Sequence, residues 1–172
     1  MNDIDNITAS ERILEHLHEE RLVQGSWHQK HEGRELACLI GAISPEIDSV
    51  TECPASVMPD WLARLVVVVF DGQAKSDAIA WAARFATQMG RWHVLDSVAW
   101  GRVHEAFCLE CLENTQQSAH TAYADDPELI NDEAAYWAAY VASVDEYPGI
   151  ACLTRLATAL CDLIDAELET AK

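Results

Sequence analysis

The sequence predicts an all-α protein, a single bundle of about six to seven helices. Apolar residues recur at helical spacing through most of the chain, and glycines and prolines stand mainly between those stretches. Of the 172 residues, 50% are apolar and 23% charged, a balance too apolar for a disordered chain. A chain of this length buries a sizeable core without covalent staples. One domain over 1–172 is expected; an N-terminal lobe 1–55 beside a helical core 56–172 is the alternative division.

The elements follow in order. Thr8 and Glu11 make a T-x-x-E capping box, after which Ile13, Leu14 and Leu17 share a face. Residues 24–34 read as a polar loop bounded by Gly25 and Gly33, and a short helix is expected over Glu35 to Ile43. Pro59 suits the first turn of a helix over about 59–70, in which Trp61, Leu62, Leu65, Val66, Val69 and Phe70 keep helical spacing. Val66 to Val69 are all β-branched, so a buried strand at 65–70, and with it an α+β fold, is the competing reading. Ser76 is expected to cap a helix over 77–89 that Gly90 ends. A long helix over about 92–118 and one near 132–144, capped by Asn131, come next. Pro148 and Gly149 are read as a break before the last helix. That helix carries the cleanest stripe: Leu153, Leu156, Leu160, Ile164 and Leu168, with Arg155, Asp162, Asp165 and Glu169 opposite. The expected core joins Leu153, Leu156, Leu160 and Ile164 to Leu65, Val69, Trp81, Phe85, Trp100 and Phe107.

Charge is the most informative bulk property. The chain holds 11 Lys and Arg against 29 Asp and Glu, a net −18. Residues 1–60 carry 12 acids and 4 bases, residues 61–120 carry 6 and 5, and residues 121–172 carry 11 and 2. Acidity therefore sits at both ends of the chain. Direct binding to nucleic acid or to an anionic membrane is disfavoured, because phosphate contacts need cations. A basic protein, itself of the nucleic-acid-binding kind, is the natural partner. No basic region followed by an apolar stretch opens the chain, and apolar runs such as Leu65 to Phe70 fall far short of the ~20 residues of a membrane span, so a cytoplasmic location is expected. Six cysteines are then thiols or metal ligands.

His104, Cys108 and Cys111 fall on one stripe of a helix and have the donor types zinc prefers. His93, Cys38 or Cys53 are the candidates for a fourth ligand. Core packing is the favoured reading, since Trp100, Phe107 and Leu112 flank the stripe; no cofactor is expected, with zinc the alternative. His104-Glu105-Ala106-Phe107-Cys108 departs from H-E-x-x-H at a ligand, and Phe107 replaces the proline of the deaminase P-C-x-x-C. No phosphate-binding glycine loop and no G-x-S-x-G occur. His28 and His31, with Trp27, lie in the loop between Gly25 and Gly33 and form a further small candidate site.

Tyr136, Trp137 and Tyr140 cluster beside an acidic stretch, the mixture of aromatic anchor and charge that suits a protein interface. The expected partner-binding residues are therefore Asp125, Asp126, Glu128, Asp132, Glu133, Tyr136 and Tyr140. Asp162, Asp165 and Glu169 form a second acidic surface. Such a surface suits a non-enzymatic inhibitor whose acids imitate phosphate spacing, or an immunity protein that neutralises a basic nuclease. A small metal-binding protein or enzyme built on His104, Cys108 and Cys111 is the alternative.

Gln24-Gly25, Gly33 and Cys38-Leu39-Ile40-Gly41-Ala42 resemble a segment of an uncharacterised family of small bacterial proteins. The likeness covers residues 24–42 and departs at Val23, where those proteins carry Trp. The resemblance implies no activity and no site residue.

Overall fold

Asp5 opens the first helix: its carboxylate accepts from the Thr8 amide at 2.8 Å, so the cap lies ahead of the expected Thr8/Glu11 box. In the computed structural model, which describes residues 4–116 and 148–171, α1 spans Asn6–His18. A hairpin follows, β1 (His28–His31) and β2 (Arg34–Ala37), with His31 opposite Arg34 in antiparallel register. Glu32 and Gly33 turn the chain with φ of 50° and 77°, the left-handed pair that matches strand twist in a two-residue loop. The loop expected over 24–34 is therefore partly strand. The helix expected over Glu35 to Ile43 is a strand followed by a 3₁₀ turn at Gly41–Ile43. Every side chain of β1 is exposed, so no inward-outward alternation marks the strand in the sequence.

α2 runs Asp60–Gly72, and the four valines are helical. Val66 and Val69 are buried, while Val67 and Val68 are half-buried against the core. Burial at helical spacing outweighs the weak β-preference of the branched side chains, so no strand forms at 65–70. α3 (Lys75–Met89) begins after Ala74, which places Ser76 inside the first turn rather than at the cap. A 3₁₀ turn at Trp92–Val94 precedes α4 (Ser97–Gln116). Asp96 sets that boundary: its carboxylate accepts from the amides of Val98 and Ala99 at 3.0 and 2.8 Å, so the helix starts at 97 rather than 92. α5 (Pro148–Thr170) includes Pro148 as its first residue, where a missing N–H costs nothing.

The protein is mostly helical, with a two-stranded sheet. Five α-helices occur among the described residues, against the six to seven expected; the helix expected near 132–144 lies outside those residues. α5 packs against α2, α3 and α4, and α1 packs on α3. Of the expected core, only Trp100 is not fully buried. An aromatic chain ties the helices together: Trp81 to Phe85, Phe85 to Trp92 and Trp92 to Trp100 have ring centroids 4.9, 5.0 and 5.1 Å apart. Burial of such side chains stabilises the fold by about 1.5–3 kcal/mol each. Among the described residues no helix is long and apolar enough to cross a membrane.

Candidate functional site

α4 does place His104, Cys108 and Cys111 on one stripe. Cys108 Sγ lies 3.7 Å from His104 Nε2, and the His104 ring stacks tilted on Trp61 of α2 with centroids 4.6 Å apart. Cys108 and Cys111 are buried. Burial, and then the neighbouring Cys108 and Cys152, push the Cys111 thiol well above its ordinary value. Cys152 thus enters the cluster from α5, a neighbour the sequence did not nominate. The candidate fourth ligands have other settings: Cys38 Sγ accepts from the Gly41 amide at 3.4 Å, Cys53 feels the charge of Asp60, and His93 is exposed on the 3₁₀ turn. Among the described residues, no three His, Cys, Asp or Glu side chains are arranged to hold a metal ion.

The acidic surfaces divide in two. Asp125, Asp126, Glu128, Asp132, Glu133, Tyr136 and Tyr140 lie outside the described residues. On α5, Asp162 and Asp165 both pair with Arg84 of α3, at 2.6 and 2.8 Å. Glu167 pairs with Arg102 of α4, and Glu169 is exposed. Other cations are similarly committed: Arg21 to Glu15 and Glu19, Lys30 to Glu35, Arg64 to Asp60, and Arg12 to the Ile43 carbonyl. Glu11, Glu15, Glu19 and Glu20 are exposed on and just beyond α1. Most described cations are thus spent within the fold, while the surface keeps an excess of acids.

The hairpin histidines do not converge. His28 and His31 are three apart on one strand and so point to opposite faces. His28 Nε2 sits 2.9 Å from the Ile47 carbonyl, a structural hydrogen bond.

The start of segment 24–42 is built as scaffold. Gln24 Nε2 donates to the carbonyls of Phe70 and Gln73 at 2.6 and 2.9 Å, closing the C-terminus of α2. The Gly25 amide donates to Asp71 at 3.0 Å. Beside this junction, residues 22–24, Gln29 of β1, the end of α2 and the start of α3 border an open-sided pocket of about 280 Å³, with Lys75 among its lining. Neither Cys152 nor this cavity left a local sequence signal, because each is assembled from residues far apart in the chain. No protein-family profile, curated protein or solved structure matches the chain.

Proposed function

We propose that this is a non-enzymatic, cytoplasmic binding protein whose acidic helical surface engages a basic protein, of the kind that itself binds nucleic acid. The observation that supports the reading is the disposition of charge. The net charge is −18, and the described arginines are largely held by internal acids and carbonyls, so unpaired carboxylates dominate the outward field. Such a field steers a basic partner and repels nucleic acid and anionic lipid. The contact surface in this proposal is Asp125, Asp126, Glu128, Asp132 and Glu133, with Tyr136 and Tyr140 as anchors. On α5, the pairing of Asp162 and Asp165 with Arg84 leaves Glu169 as the less constrained contributor. The test is association with the basic protein captured from native lysate, measured from low to high salt. Neutralising the five acids together slows association, and binding of the unaltered protein falls steeply with salt. Salt-insensitive binding that survives the five changes overturns the proposal.

A second reading, zinc at His104, Cys108 and Cys111, has the 3.7 Å approach of His104 and Cys108 in its favour and the lack of a three-ligand arrangement among the described residues against it. Metal content of the purified protein, and unfolding on chelation, decide it.

A further inference from the structure

The cavity between the hairpin base and the α2/α3 junction has the composition of a ligand site. Leu22, Val23, Phe70, Ala78 and Ile79 supply its apolar lining, and Gln24, Gln29 and Lys75 its polar lining. Lys75 is exposed, and among the described residues it enters no ion pair. The acids nearest to it in sequence have hydrogen-bond partners of their own. Asp71 accepts from the Gly25 amide, and Asp77 accepts from Ser76 and Thr154. The Lys75 ammonium is therefore available at the rim of a pocket that also presents apolar side chains. The volume, about 280 Å³, holds roughly nine waters at ~30 Å³ each, or a ligand of similar bulk.

We infer that this cavity binds a small monocarboxylate with an apolar body. The tail lies against Leu22, Phe70, Ala78 and Ile79, and the carboxylate pairs with the Lys75 ammonium. Apolar area supplies most of the affinity, and the charge-assisted hydrogen bond supplies the discrimination. The inference stands apart from the acidic-surface reading, since it uses none of those carboxylates.

Octanoate and its neutral counterpart octanamide are the probes, titrated into the intact protein by calorimetry and by amide-resolved NMR. Octanoate is expected to bind saturably, with shifts at Leu22, Ala78 and Ile79. Octanamide, and octanoate on Lys75→Gln, are each expected to bind about tenfold or more weakly, the loss of one hydrogen bond to a charged group. Lys75 is exposed, so the substitution leaves folding intact. Absence of saturable octanoate binding overturns the inference. So does equal affinity for the acid and the amide, or equal affinity of the altered and unaltered proteins.

Discussion

A side chain on Gly41 would collide with the carbonyl oxygen of Trp27, the oxygen that also accepts the Cys38 amide at 3.2 Å. The backbone entering the hairpin is thereby laid directly on the 3₁₀ turn, with the His28 ring against the same spot. A neighbouring backbone cannot swing aside as a flexible side chain does. Gly41→Ala therefore forces the turn and the hairpin apart, and a loss of about 1–3 kcal/mol is expected. Gly101, exposed in α4 with nothing near its missing Cβ, is the contrast: Gly101→Ala is expected to gain about 0.5–1 kcal/mol from helix propensity. Urea unfolding of the two variants, read at the midpoint, checks both signs.

That contact also shows where sequence reasoning stopped. Helix α2 was legible because Leu62, Leu65, Val66 and Val69 repeat at helical spacing, and the stripe on α5 was legible for the same reason. The hairpin was not. His28-Gln29-Lys30-His31 has neither β-branched residues nor a buried face, and its pairing follows from two positive-φ turn residues and from packing at Gly41. Helix starts moved by a few residues because Asp5 and Asp96 captured the free amides. The thiol stripe on α4 was visible from spacing, whereas Cys152 reached it only through the packing of α5 on α4.

Asp71 gives a pH dependence of defined sign. Burial raises its carboxyl above the ordinary value, and the hydrogen bond from Gly25 offsets this only in part. A raised carboxyl holds its proton more tightly in the fold than in the unfolded chain. Its cost is absent at acid pH and grows as pH rises through the folded value. Asp71→Asn keeps an oxygen for the Gly25 amide and removes the charge. The variant is expected to unfold at a higher temperature than the unaltered protein at pH 7, with the gap closing below about pH 4, near the ordinary carboxylate range. A gap that persists unchanged at acid pH would count against the assignment.

Arg84 acts in the opposite sense. Burial pushes Asp165 up, but hydrogen bonds from Arg84 and Gln88 together hold it below the ordinary value. A depressed carboxyl lends stability above its unfolded value, and that stability is lost as pH falls through the folded one. The Arg84 and Asp165 side chains are each 37% exposed and Asp162 is 64% exposed, so solvent screens the cluster. Arg84→Met is expected to cost about 0.2–1 kcal/mol at pH 7, the range of exposed pairs. The difference should shrink toward pH 3 and in high salt, and urea midpoints across that grid test it.

The thiols supply the last expectation. Five of the six cysteines are buried, and Cys53 is half-buried. Burial, aided by Asp60, pushes Cys53 up to about 12, and burial likewise raises Cys161 to about 12. Cys38 and Cys111 move in the same direction for the same first reason. Only the thiolate attacks a disulfide reagent, so at pH 8 these four groups present less of the reactive form than an ordinary thiol does. The native protein is expected to react with Ellman's reagent only as fast as it opens, and all six thiols should titrate at once in denaturant. Replacing Cys108 and Cys111 with Ala removes small apolar groups from the α4/α5 packing and should cost a few kcal/mol at most. Partner binding should survive the change, since neither thiol reaches the surface. Fast labelling of native Cys108 would instead show that His104, 3.7 Å away, activates it, and would move the weight of function from the acidic surface to this pair.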